Sequence, residues 1–411
     1  MTDLTCLANT DIKCLDLSLE KKPGKRSRKI KHNLNQKSPS NLEKLDEFYN
    51  SQSSKYMKPT RNIPTQPEKI LKIGFESIER IRTSWNENGL LAIGLDYLVI
   101  LWDEKSNSSS IIHEYDEDTG KHVSSLVWIE TTNAPKLAIG NNDGELEIVE
   151  INEFYKVSDS SVVCEKNIKH TINIKDNTSI TSLAFANNLL TIGLESGIIE
   201  HHTFGSSINL LSKNKYHKQK ISKMIWSADK NHLAVITDCG LLSVWESKFL
   251  NRKPKVKLRE KNQRINDISW NPRNSGQLVF CSGKSDCKLR IIDVKSKQFI
   301  KSVNTNLILR FIYWSKVENE ILCVANQPKP NPISDESIEE EFNYSNLIFF
   351  DQKTLGKMSE IICNKKQYGL TGNGSGDKVV TVGKAGEITI WKLFPIKKTE
   401  IPMIDFYSEL R

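Results

Sequence analysis

Few residues in this chain of 411 have the types and spacing that bond-making chemistry needs. A metal site wants thiolates or imidazoles at fixed separations, yet the eight cysteines form no Cys-x-x-Cys pair. Cys281 and Cys287 are the closest pair in the regular part of the chain, and no histidine stands at metal spacing from them. Cys239, Cys281 and Cys323 lie in apolar, strand-like contexts, where a free thiol behaves as a small hydrophobe. This usage predicts a reducing compartment and no bound metal. His201-His202 is the only adjacent histidine pair. Neighbours on a strand face opposite sides, so the two cannot grip one ion together. There is no Gly-rich phosphate loop, no HExxH and no G-x-S-x-G, so neither enzyme activity nor a cofactor is expected.

Two patterns suit docking rather than catalysis. The terminal pair Leu410-Arg411 joins a branched aliphatic side chain, a guanidinium and a free carboxylate. One hydrophobic anchor with two charges at fixed spacing fits a groove that has an apolar pocket and paired polar groups. Residues 21–37 hold eight basic residues and no acid, with Lys25, Arg26, Arg28 and Lys29 at the centre. Such a run serves nuclear localisation or phosphate contact, or is simply a solvated linker. It sets the expected location as nucleus and cytoplasm. Ser38-Pro39 beside it suits a proline-directed kinase.

The formal charge is +8, and residues 1–68 hold 13 Lys/Arg against 8 Asp/Glu. A basic tail beside a nearly neutral body argues against nucleic-acid binding by the body. No run of 18 apolar residues exists, so no membrane span is expected. The first residues lack an apolar signal region, so secretion is not expected.

The elements that must position these groups follow an aromatic period. Trp85, Trp128, Phe185, Trp226, Trp270 and Trp314 are spaced by 43, 57, 41, 44 and 44 residues. Each stands near the start of a three-part phrase of short β-rich segments bounded by turn formers. The first phrase covers Ile81–Asn86, Gly89–Leu95 and Tyr97–Asp103, and a seventh ends at Trp391. A period in the low forties with strand-rich units predicts an all-β, seven-bladed WD-repeat β-propeller. Each twisted blade has two apolar faces that only its neighbours can cover, so the ring must close. The stretch Glu68–Ile73 is the expected extra strand on the last blade. Trp102, Trp245 and Trp391 end third strands and, like the other tryptophans, are read as packing between blades. Two insertions break the period. Residues 152–178 lengthen the link after the second blade, and residues 327–345 form an acidic, Pro-rich loop. The resulting division is a disordered basic region at 1–60, the propeller at 61–394 and a docking tail at 395–411.

The segment Lys58-Pro-Thr-Arg-Asn-Ile-Pro-Thr-Gln-Pro-Glu-Lys-Ile-Leu71 resembles the lead-in to the propeller of the fizzy and fizzy-related proteins. Those are substrate-recruiting activators of the anaphase-promoting complex, a ubiquitin ligase. The first unit from Ser84 to Trp102 and the run Gly283-Lys-Ser-Asp-Cys-Lys-Leu-Arg-Ile-Ile292 continue the likeness. So does the ending Glu409-Leu410-Arg411, where the family closes in Ile-Arg. The resemblance spans about residues 58–411 and implies ligase docking through Leu410 and Arg411. It also implies that Asp96, Asp238 and Lys366 receive a Lys-Glu-Asn degron on one face of the propeller. Where the family keeps acids that read the Arg of a destruction box, this chain has Ser84 and Ala385-Gly386. Losing each such carboxylate removes a charge-assisted bond worth about 1.5–3 kcal/mol. The N-terminal ligase motif of the family, approximately D-R-[FY]-I-P, has no match in residues 1–57. The implied function is a non-enzymatic adaptor between ligase subunits and degron-bearing substrates, specialised for meiosis by family analogy. It implies no membrane partner. The rival reading is a propeller scaffold unrelated to ubiquitin ligation, and a weaker one is a nucleic-acid or phosphoinositide binder acting through residues 21–37.

Overall fold

The computed structural model describes residues 61–72, 81–130, 134–158, 161–174, 178–259, 264–283, 286–326, 344–363, 365–383 and 386–395. Among these residues, seven four-stranded antiparallel sheets form the blades of a closed propeller. The inner strands, in chain order, are Ile81–Trp85, Val123–Ile129, Ile180–Ala186, Ile221–Trp226, Ile265–Trp270, Ile308–Trp314 and Gln367–Gly372. Each contacts the inner strand of the next blade, and the first contacts the last. The predicted three-part phrases land on the first three strands of each blade, and a fourth, outer strand lies in each connection.

Burial follows position in the blade. The second strand of blade 1, Leu90–Leu95, is buried throughout because blades cover it on both faces. The outer strand of blade 5, Gln298–Asn304, is exposed at six of seven positions. Trp128, Trp270 and Trp314 each fall in a buried cluster shared by two neighbouring blades. Trp85, Trp391 and Trp245 do the same at three further seams. The indole nitrogens of Trp128 and Trp270 also donate to the Ser84 and Ile225 carbonyls of the preceding blade, at 2.9 and 3.1 Å. These two aromatics therefore supply both contact area and one oriented bond. The blades approach closely at Gly94 and Gly140, where an added Cβ would stand 2.7 Å from Val123 and 2.6 Å from Ile180 of the next blade. That closeness explains a glycine inside an otherwise branched strand.

Closure is built by the lead-in segment. Lys69–Lys72 pairs antiparallel with Glu387–Lys392, from Lys69 opposite Ile390 to Lys72 opposite Glu387. The last sheet therefore holds strands from both ends of the ring. Side chains reinforce it. Arg61 grips Glu320 of blade 6 with two bonds of 3.2 and 2.7 Å, and lies 5.3 Å from the Phe394 ring centroid. Lys378 of blade 7 bridges Glu68 at 3.0 Å and Glu104 of blade 1 at 2.9 Å. Thr83 and Thr371 share a bond of 2.7 Å between the first and last inner strands.

One expectation needs correcting. Residues 152–178 were expected to lengthen a link, but most of them extend a hairpin. The third and outer strands of blade 2 run Glu145–Ser158 and Ser161–Asn173, paired to the tip. The alternation Val-Glu-Ile and the β-branched run Ser-Val-Val supply strand character along both arms. The acidic, Pro-rich insertion falls mainly in residues 327–343, outside the described residues.

Candidate functional site

Antiparallel strands alternate their ends, so every blade presents its second-to-third turn on one face of the ring. The connection into each inner strand opens on that same upper face. The inner-to-second turns lie on the lower face. Asp96 occupies the second-to-third turn of blade 1, Asp238 that of blade 4 and Gly386 that of blade 7. Lys366 lies in the connection that enters the inner strand of blade 7. The fold therefore brings Asp96, Asp238 and Lys366 to one face from positions far apart in sequence. It does not gather them into one cluster. Asp96 and Lys366 belong to neighbouring blades, and Asp238 lies across the ring.

Their settings differ. Asp96 is half-buried at a backbone φ of 36°, and its carbonyl accepts from Val123 N of blade 2 at 2.6 Å. The turn is thus pinned, and the carboxylate is carried on a fixed base. Asp238 is exposed, accepts from Ser222 Oγ at 2.8 Å and lies 3.5 Å from Arg264 Nη2 of blade 5. An incoming cation would compete with a weak exposed pair there. The Lys366 ammonium stands 5.5 Å from the centroid of the exposed Tyr368 ring. Beside it, Lys365 pairs with Glu387, the first residue of the last blade's third strand.

The altered positions do not share a face. Gly386 sits on the upper face at φ 71°, a left-handed conformation that suits glycine. Ser84 lies toward the lower face, level with Thr371, because its neighbour Thr83 bonds to Thr371. Gln367, opposite Gly383, marks the upper end of that same strand. Four residues of strand, about 13 Å, separate the two levels. Ala385 lies outside the described residues, as do Leu410, Arg411, Lys25, Arg26, Arg28 and Lys29.

Residues missed by the sequence reading line the mouth of the central channel. They are Arg82, Ser124, Thr181, Ser222, Asn266, Arg310 and Tyr368, the second residue of each inner strand or, in blade 6, the third. At six of them the pairing register slips by one, a β-bulge that re-aims the side chain. Four of the seven then stitch one blade to the next. Arg82 Nε donates to the Ser124 carbonyl at 2.8 Å, and Ser124 Oγ donates to the Ile180 carbonyl. Thr181 Oγ1 donates to Ile221 O at 2.7 Å, and Asn266 Nδ2 to Leu309 O at 2.7 Å. Arg310 and Tyr368 remain exposed at the rim. In the six blades that carry a marker aromatic the signal was present, since the residue stands three or four places before it.

Below the mouth, Asp267 is buried and spans three blades. It accepts from Lys223 Nζ of blade 4 at 2.6 Å and from Ile312 N of blade 6 at 2.8 Å. The histidine pair faces apart as the strand period requires. His201 Nδ1 meets Thr191 Oγ1 and His202 Nε2 meets Glu200, each at 3.1 Å. Burial pushes the His201 and His217 imidazoles down to about 4. Burial pushes the Cys281 and Cys323 thiols well above their ordinary range. A thiol held in its neutral form is a poor nucleophile. A cavity of about 310 Å³ opens between blades 3 and 4 on the lower face, lined by Leu211, Trp226, Lys230 and Ser247. Of the residues singled out by sequence only the packing aromatic Trp226 lines it, and none of the candidate binding residues does.

No family model matches this chain. Curated proteins do. It is 25% identical over 345 residues to the meiotic fizzy-related protein 1 of Schizosaccharomyces pombe, covering 84% of this chain and 74% of that protein. It is 25% identical over 339 residues to the anaphase-promoting complex subunit cdh1 of Dictyostelium discoideum, covering 72% of this chain but 43% of that protein's length. It is 23% identical over 363 residues to FIZZY-RELATED 3 of Arabidopsis thaliana, covering 88% and 68%. Among solved structures, a chain of the mitotic checkpoint complex superposes with a TM-score of 0.65 at 18% identity, over 83% of this chain and 99% of that one. That likeness speaks to the fold. The sequence relatives at about 25% identity, the lead-in motif and the closed seven-bladed ring together fit a divergent member of the fizzy and fizzy-related family.

Proposed function

We propose that the chain is a non-enzymatic adaptor that recruits degron-bearing proteins to the anaphase-promoting complex. The observation that carries this reading is the set of relatives, whose names tie them to that complex or to cell-division control. The geometry supports the adaptor part. Asp96, Asp238 and Lys366 share the upper face with Arg310 and Tyr368, so carboxylates, cations and an aromatic ring surround one channel mouth. That mixture suits a short peptide bearing both charges, such as Lys-Glu-Asn. In this reading Leu410 and Arg411 dock on the ligase, and the basic run at 21–37 directs the protein to the nucleus. A meiotic specialisation is supported by the likeness to the fission-yeast relative.

The test is affinity purification of the full chain and of a chain lacking Leu410-Arg411, each followed by mass spectrometry. Ligase subunits should accompany the full chain and fall at least ten-fold in the truncated one. Ligase subunits retained at full yield by the truncated chain would remove the tail from the account. Their absence from both samples would favour a scaffold outside ubiquitin transfer.

A further inference from the structure

The near-neutral net charge of the propeller hides a strongly polarised surface. Residues 208–220 carry Lys213, Lys215, Lys218 and Lys220 and no acid. Residues 247–259 carry six basic residues and again no acid. These two segments include the outer strands of blades 3 and 4, Ile208–Asn214 and Val256–Arg259. They are therefore neighbours on the circumference of the ring. The link between blades 1 and 2 holds the opposite charge, with Asp116, Glu117 and Asp118 in and beside a short 3-10 turn.

Three of these cations are already engaged, with Lys213 on Glu200, Lys220 on Glu195 and Lys255 on Glu246. Lys253, Lys257 and Arg259 are exposed, and among the described residues no carboxylate is paired with them. Lys257 is steadied by the Tyr216 ring, whose centroid lies 5.6 Å from its ammonium. Val256 and Leu258 turn toward the blade, so Lys257 and Arg259 project from the same side of the strand. Alternate side chains on a strand stand about 6.8 Å apart. The inner edge of Val256–Arg259 pairs with Leu241–Val244, and among the described residues no strand pairs with its outer edge. Lysine on an edge strand also discourages self-pairing. That need is met by one or two charges, as at Lys301 of the blade 5 outer strand, and not by two acid-free basic segments on adjacent blades.

We propose that the outer edge of blade 4 docks an extended acidic peptide from a partner protein by β-strand addition. The peptide's backbone would complete the open hydrogen-bonding edge of Val256–Arg259. Its alternate carboxylates would repeat at the spacing of Lys257 and Arg259, so backbone register and charge register agree. This agreement favours a peptide over a nucleic acid or a lipid surface, which would use the charges but leave the strand edge unpaired. The site lies on the circumference, away from the upper-face residues, and does not depend on the ligase reading.

The probe is a fluorescent ten-residue peptide alternating Asp and Val, titrated with the full chain and read by anisotropy. Binding should weaken about ten-fold in the double variant Lys257→Glu, Arg259→Glu, whose two sites are exposed and whose melting curve should match the parent. A peptide of the same charge, N-methylated at alternate amides, should bind at least ten-fold more weakly than its parent. Equal binding of the N-methylated peptide, equal binding by the double variant, or no binding at all would overturn the proposal. So would tighter binding of a single-stranded RNA of equal charge, or of vesicles containing phosphatidylserine.

Discussion

Asp96 combines a pinned turn with a half-buried carboxylate, whereas Asp238 already shares its charge with Arg264. The two should therefore respond differently to neutralisation. Asp96→Asn keeps the positive φ that asparagine tolerates and removes only the charge. It should weaken a Lys-Glu-Asn peptide about ten-fold, the loss of one charge-assisted bond of about 1.5 kcal/mol. Asp238→Asn should cost about three-fold or less, as for an exposed pair. Peptide anisotropy checks both, and equal effects would place the ligand elsewhere. His201 and His217 carry a second residue-scale prediction. Each is buried with its imidazole pushed from an ordinary value of 6.5 down to about 4. The unfolded chain then binds protons that the folded one refuses. Their stability is fully present above about pH 6.5 and drains away as pH falls toward 4, by on the order of 3 kcal/mol each. Melting temperature should fall over that window, and His217→Gln, which retains a polar contact with Ser243, should flatten part of the slope. A pH-independent melt would contradict both shifts.

At the scale of elements, the lead-in strand ties the ring together. Its pairing with Glu387–Lys392 was legible in sequence, because the segment stands just upstream of the first unit and a ring with covered faces needs a closing strand. The clasp formed by Arg61 was not legible, since its partner Glu320 stands 259 residues away. Both side chains are largely buried, at 13% and 3% exposure. Arg61→Ala would leave the Glu320 carboxylate buried without its cation, which costs about 3 kcal/mol. Denaturant melts should show that loss, and Arg61→Lys should recover part of it as a single bond replaces a fork. An unchanged midpoint would mean that the ring closes through backbone pairing alone. The extended hairpin of blade 2 shows the limit of periodicity. Without a marker aromatic its two arms looked like a link, although their alternation carried strand character.

The whole molecule is a ring in which seven seams share the load. The lead-in segment and the last strand meet in one blade, so both ends of the ring are committed to the same sheet. Removing residues 1–60 should leave the melting transition within about 2 °C of the parent, whereas removing residues 1–72 should abolish a cooperative transition. Calorimetry distinguishes the two, and a cooperative melt of the shorter chain would deny the closing strand its role. Charge also has to be considered at this scale. Net charge suggested a bland body, but folding collects two acid-free segments onto blades 3 and 4 and an acidic turn between blades 1 and 2.

The sequence by itself determined the seven-fold plan, the aromatic seams and the closing strand. These follow from local periods: alternate residues face alternate sides, and one aromatic per repeat must fill one gap per seam. It also named Asp96, Asp238 and Lys366, through resemblance rather than geometry. Only the tertiary structure decided that these three share a face without forming a cluster, that Ser84 and Gly386 lie about a strand's length apart, and that bulges turn Arg310 and Tyr368 to the channel mouth. Those facts depend on which strand end each turn occupies and on contacts between residues more than forty places apart. A ring brings such residues together only once it has closed.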